Sequence, residues 1–221
     1  MKLSYENMGH LLLLGEEKNV ELVIENKKMF LEVVESLTEQ IEGGVGKAVL
    51  SIDDRPVELS RYADITVSFA PFHMNRKPLL TKLCNALEEK ALSPEHYIKA
   101  GELLRALELF VDALSEDFPF DVECQKAAVG PLLRAIAPEI AENEKSTVER
   151  ILNYMEIVRE LDRERLFVFV NMRTYFADEE MNAFLKTTYR HDHRVLLVES
   201  SDFPRLENCK RYTVDADLCE F

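Results

Sequence analysis

Cysteine is scarce in this chain and poorly spaced for chemistry. Cys84, Cys124, Cys209 and Cys219 lie 40, 85 and 10 residues apart, so no CxxC pair can seed a zinc site or a redox motif, and disulfides are not expected. Long apolar runs are missing as well. The longest, Leu166–Val170, falls far short of the roughly 18 residues that a membrane-spanning helix needs. The leucines at 11–14 run straight into a charged stretch, too short for the core of a signal peptide, so a cytoplasmic protein with no membrane segment is expected. Positive charge is the minority sign: 27 basic against 41 acidic residues give a net −14. A surface that is basic all over and holds nucleic acid by bulk attraction is excluded; a nucleic-acid site here has to concentrate its cations.

What remains is a folded chain. With 47% hydrophobic and 31% charged residues over 221 positions, it can bury an ordinary core as one large domain or as one domain carrying an insertion. In the N-terminal third, apolar runs at 11–14, 20–24, Ala48–Ile52 and 65–69 predict strands, and Asp53-Asp54-Arg55-Pro56 predicts a turn. Between them Phe30, Val33, Val34, Leu37 and Ile41 predict one amphipathic helix, capped by Asn26 and stopped at Gly43-Gly44.

From about 75 to 161 the period is helical throughout. Leu79, Leu80, Leu83 and Leu87 mark one helix, and Ser93-Pro94 opens another whose expected core stripe is Tyr97, Gly101, Leu104, Leu107, Val111 and Leu114. A third, over 125–137, must kink or split at Gly130-Pro131. A capping box of Ser146 and Glu149 begins a fourth, with the apolar seam Val148, Ile151, Leu152, Met155, Val158 and Leu161. The last third returns to buried strand (Leu166–Val170), helix (178–189) and buried strand (195–198), an order that implies a parallel pair with a right-handed crossover. The pattern predicts an α/β head domain from residues 1–72 and 163–221, with a parallel or mixed sheet, and an all-α leg domain inserted over 73–162.

Gly43-Gly-Val-Gly-Lys47 has only the outline of a phosphate-binding loop. The first glycine of GxxxxGK[ST] would fall on Ile41 and its metal-binding hydroxyl on Ala48, and the order is helix, loop, strand instead of strand, loop, helix. It reads as a helix-terminating turn. His191-Asp192-His193 has a spacing that can chelate a transition metal, but a solvated turn is the plainer reading. His10, His73 and His96 lack matched cysteines or carboxylates, no Ser/His/Asp arrangement stands out, and no catalytic centre is visible. Asn171, ending a buried strand, suits loop hydrogen bonding; in a nucleotide-dependent enzyme it would orient a water or a metal.

Residues 112–123 carry five carboxylates, Asp112, Glu116, Asp117, Asp121 and Glu123, and no basic residue. Calcium takes six to eight oxygens and such a helix-to-loop break can supply them, although a solvated acidic helix end is the plainer reading. The helical block also holds scattered cations, among them Lys99, Arg105, Lys126, Arg134 and Lys145. They are ordinary surface residues unless several converge, as they do when a symmetric ring repeats each one in every subunit.

Taken together, Leu166-Phe-Val-Phe-Val-Asn171, Thr174-Tyr-Phe-Ala-Asp-Glu-Glu-Met181 and Val195-Leu-Leu-Val-Glu199 resemble the strand, asparagine, acidic-helix, strand signature of a CRISPR-associated family. That family is the Csn-type spacer-acquisition accessory proteins of type II-A systems. The resemblance extends to helix 146–161 and to Ala63-Asp64-Ile65, Asn75 and the leucine-rich helix through Leu87, while the first 50 residues match only in element order.

The resemblance implies a degenerate P-loop-like head with no working Walker A sequence, an inserted helical leg, a homotetrameric ring (a dimer of dimers) and no enzymatic activity. It further implies calcium held by acidic leg residues and ends of double-stranded DNA taken through a basic central hole. Other implied partners are type II-A acquisition proteins, namely the integrase complex and the effector nuclease. Carried over by position, Glu116, Asp117, Asp121 and Glu123 become the calcium carboxylates. Arg134, where relatives carry a lysine, becomes the leading DNA contact, with Lys126 and Lys145 beside it. Relatives begin the late helix with threonine; here Ala177 stands there, so Asp178 is expected to cap it. Two competing readings are a nucleotide-dependent enzyme on the head and a purely structural scaffold for other acquisition proteins.

Overall fold

The computed structural model describes residues 1–6, 8–14, 18–144, 146–162 and 165–221. In chain order it runs β1 (Lys2–Tyr5), β2 (Leu12–Leu13), β3 (Asn19–Ile24), α1 (Lys27–Ile41), β4 (Ala48–Ile52), β5 (Arg55–Val57), the single turn α2 (Leu59–Tyr62) and β6 (Ala63–Thr66). Three helices follow, α3 (Lys77–Ala91), α4 (Tyr97–Ser115) and α5 (Val129–Ile136). The chain closes with α6 (Thr147–Leu161), β7 (Leu166–Val170), a 3-10 turn (Met172–Thr174), α7 (Asp178–Arg190), β8 (Arg194–Glu199) and β9 (Lys210–Val214). It divides into two compact units, one of Met1–Phe72 with Asn143–Phe221, the other of His73–Glu142.

The first unit is an α/β fold. Its main sheet is parallel throughout, in the order β6-β7-β8-β3-β9, and a smaller antiparallel sheet runs β2-β1-β4-β5. Both faces of the parallel sheet are covered, which is why β3, β7 and β8 read as nearly unbroken apolar runs. On one face Val20, Leu22, Ile24, Val168 and Leu196 pack with Val33 and Leu37 of α1 and with Leu3 and Leu50 of the small sheet. The other face is aromatic: Phe169 meets Phe184 of α7 edge-on at 5.7 Å, and Phe167 meets Tyr154 of α6 at 6.5 Å.

The cap of α1 forms as expected, with Asn26 Oδ1 accepting from the Met29 amide at 3.0 Å. The capping box of Ser146 and Glu149 is also present. The seam of α6, read from the sequence as leg, packs inside the first unit: Ile151, Tyr154, Met155 and Val158 are buried, and the Tyr154 hydroxyl donates to Asp64 at 2.6 Å. Asp178 does not cap α7. Ala177 is the N-cap residue, its amide donates to Glu180 at 3.0 Å, and the Asp178 carboxylate is taken by Arg173 instead. The strand expected at 65–69 ends at Thr66, because Phe69 leaves the ladder to pack on Phe169, Tyr175 and Phe176.

In the second unit α3 packs against α5. Helix α5 begins at Val129 and not at 125, since Pro131 lacks an N–H and is tolerated only in a first turn, where amides have no intrahelical acceptor. The apolar stripe of α4 is helical as expected but is not a core: no residue of this 19-residue helix is buried. No described helix is long and apolar enough to cross a membrane.

Candidate functional site

In the second unit the approach of α3, α4 and the segment before α5 leaves a groove of 680 Å³. Its walls mix Tyr97, Leu104, Leu109 and Val129 with the cations Arg105 and Lys126 and the carboxylates Glu88, Glu108 and Asp112. Lys126, exposed in the segment before α5, is among the residues that line this concave surface. Arg134 stands in the last turn of α5, half-exposed, with Nη2 3.2 Å from Glu88 Oε2 and 3.4 Å from Asn85 Oδ1. Glu88 thus belongs both to the groove and to the Arg134 pair. Lys145 lies outside the described residues.

The four expected calcium carboxylates are not gathered. Glu116 is the C-cap residue of α4, Asp117 follows it, and Asp121 and Glu123 lie beyond Pro119 in irregular chain, all of them exposed. Among the described residues no group of three or more His, Cys, Asp or Glu side chains is arranged to hold a metal ion. Phe118 and Phe120 stack at 5.3 Å between the two pairs of acids and set them apart.

In the first unit, the place where a phosphate loop would lie is the connection from strand β3, inside the parallel sheet, to α1. It consists of Glu25 and Asn26, with no glycine and no room for a cradle of backbone amides. Gly43-Gly-Val-Gly-Lys47 is the turn from α1 to β4. Gly43 takes φ 98°, Ser36 Oγ accepts from the Lys47 amide at 2.9 Å, and the Gln40 side chain pairs with both the N–H and the C=O of Ala48. The Lys47 ammonium pairs with Glu32, which holds it above its ordinary pKa. Asn171 takes the plainer of its two roles: its Oδ1 accepts from the Ser200 amide at 2.9 Å and hydroxyl at 2.8 Å, tying the ends of β7 and β8.

Sequence reasoning passed over the most heavily charged interior of the molecule. Glu21 in β3 is buried and takes Arg173 at 2.8 Å and Arg211 at 2.7 Å, one on each carboxylate oxygen. Glu199, at the end of β8, is also buried, and its Oε1 accepts from the Arg173 amide at 3.2 Å. Burial pushes the Glu199 carboxyl up to about 7; the Arg173 amide and guanidinium pull against that and the Glu21 charge adds to it. The signal was present, since an acid inside a buried strand needs a partner. His193 was read as part of a solvated turn, yet it is buried, with Nε2 3.0 Å from Glu156 Oε1, and His191 reaches the same oxygen through Nδ1. Burial moves the His193 pKa below its usual value.

These features define a class: an α/β unit on a parallel sheet, with a closed-off phosphate-loop position and an inserted helical unit. The crystal structure of Stu0660 of Streptococcus thermophilus has the same fold, with a TM-score of 0.61 at 15% identity over 92% of this chain and 70% of that one. The family model for CRISPR-associated protein (Cas_Csn2) matches residues 39–218, well over half of the chain. The chain belongs to that family, the type II-A family that its motifs resemble.

Proposed function

We propose that this protein acts in CRISPR spacer acquisition as a non-enzymatic homotetrameric ring that receives the ends of linear double-stranded DNA. The observation that carries assembly is α4, whose side chains include Ile98, Leu103, Leu109, Phe110 and Leu114, all exposed. Apolar area of that extent in a soluble unit calls for a partner surface, and a second copy of the same helix is one. DNA contact rests on Arg134, paired with Glu88, and on Lys126, which lines the same groove as Glu88, with Lys145 as a further candidate. The missing cradle after β3 and the occupied Asn171 Oδ1 favour this reading over a nucleotide-dependent enzyme.

Calcium is part of the proposal through the family resemblance and the density of carboxylates at 112–123. Glu116, Asp117, Asp121 and Glu123 as they stand do not fit an ion. The integrase complex and effector nuclease are the proposed protein partners, in the cytoplasm. A gel shift with linear and relaxed circular duplex of equal length, with calcium or with chelator, tests the reading. Binding to the linear form alone, lost on chelation, is expected. Equal binding to the closed circle removes threading, and indifference to chelator removes calcium.

A further inference from the structure

Arg134, the leading DNA contact of the reading just given, on which this inference rests, is already engaged. Its partners Glu88 and Asn85 both come from α3. Glu88 is not a loose surface carboxylate. A Cβ built on Gly130 would come within 2.3 Å of its Oε1 and 2.4 Å of its Cδ, so the carboxyl group lies against the first turn of α5 in a slot that exists because Gly130 has no side chain. The amide-rich end of that helix suits a negative charge. The same side chain lines the groove that holds Arg105 and Lys126, neither of which has an ion-pair partner among the described residues. One carboxylate therefore both lines the groove and pairs with Arg134.

We propose that Glu88 is an internal stand-in for a phosphate, holding Arg134 until a backbone phosphate of DNA displaces it. A carboxylate oxygen and a phosphodiester oxygen offer a guanidinium the same acceptor. A half-exposed pair of this kind is weak enough to be exchanged. The arrangement makes Arg134 available only to a duplex already held by other cations, and it discourages stray anions.

The test is fluorescence anisotropy of the full-length protein with a linear duplex between about 50 and 200 mM salt. Glu88→Gln removes the charge and keeps the shape. Gly130→Ala keeps the charge and closes the slot, moving only the flexible end of Glu88. Glu89→Gln, exposed one residue along, makes the same change in net charge. The first two variants are expected to bind about two- to fivefold tighter at low salt, because Arg134 no longer has to leave Glu88 before it meets the phosphate. Adding Arg134→Gln should abolish the gain, and Glu89→Gln should match wild type. If wild type binds but Glu88→Gln binds equally or more weakly, the stand-in role is overturned and the DNA reading stands. An equal gain from Glu89→Gln reduces the effect to bulk charge and also overturns it. If neither wild type nor any variant binds duplex, the DNA reading falls and the inference falls with it.

Discussion

Arg173 and Glu21, 152 residues apart in the chain, meet in an ion pair of 2.8 Å in which neither side chain is more than 1% exposed. The same guanidinium reaches Asp178 at 2.7 Å and the Pro204 carbonyl at 2.7 Å, while the second oxygen of Glu21 takes Arg211. One arginine thus ties β3 to the 3-10 turn, to the start of α7 and to the loop before β9. Removing Arg173 leaves the buried Glu21 with Arg211 alone, and breaking a buried pair costs about 3–5 kcal/mol. Arg173→Met, close in volume, should therefore lose about that much stability in urea at neutral pH, and adding Glu21→Gln should restore part of it. A loss below about 1 kcal/mol would show that the network does not hold the unit together.

Glu199 gives the molecule a pH dependence of unusual sign for a carboxylate. Its Oε2 has no hydrogen-bond partner among the described residues, and its pKa rises from 4.5 to about 7 on folding. The folded chain therefore holds more protons than the unfolded one between those values. The contribution to stability is present below 4.5 and is lost as pH rises through about 7, by about 3 kcal/mol in all. Glu199→Gln cannot ionise, so it should be more stable than wild type near pH 8, with the difference fading towards pH 5. His193 works in the opposite direction: its pKa lies below 6.5 in the folded chain, so its contribution is lost as pH falls below that value. Thermal melts across the range separate the two, and a Glu199→Gln offset that is constant with pH would refute the assignment.

The parts of the fold legible in the sequence are those where a local rule and the tertiary structure agree. Strands β3, β7 and β8 are largely apolar runs because both sheet faces are covered, and the caps at Asn26 and Ser146 sit where side-chain chemistry dictates. Strand β9 is illegible in the sequence because Lys210, Arg211 and Thr213 interrupt it, and β3 is its one neighbouring strand in the sheet described. The stripe on α4 was legible as a helix face, but periodicity cannot say whether a face meets its own chain. The Arg134 site was legible by half: the cation was found, but its pairing with Glu88, 46 residues earlier, depends on how α3 and α5 pack.

Phe110, 60% exposed on α4, separates assembly from folding. A charge placed there meets solvent in the single chain, so Phe110→Glu should change subunit stability by no more than about 0.5 kcal/mol. Placed in an interface between copies, it should break the assembly. Light scattering is expected to give a tetrameric mass for wild type and a smaller one for the variant, with unchanged far-ultraviolet dichroism. A wild-type monomer would remove the ring reading, and a variant of undiminished mass would move the interface away from Phe110.

Asn75 and Ile140 pair twice, the Ile140 amide donating to Asn75 Oδ1 at 2.9 Å and Asn75 Nδ2 donating to the Ile140 carbonyl at 3.0 Å. The two ends of the segment His73–Glu142 therefore run side by side, the geometry of an insertion that a short linker can replace. The boundary is the sharper question, because the sequence pattern alone puts α6 with the leg. Replacing 73–142 with a short Gly/Ser linker keeps Ile151, Tyr154, Met155 and Val158 in their core and should leave a cooperatively folding α/β unit. Replacing 73–162 removes all four at once. At about 2–5 kcal/mol for each large buried side chain, that loss matches or exceeds the roughly 5–15 kcal/mol of a typical domain. Urea denaturation should show one sharp transition for the shorter deletion and none for the longer. Folding by the longer deletion, or failure of the shorter, would return α6 to the helical insertion.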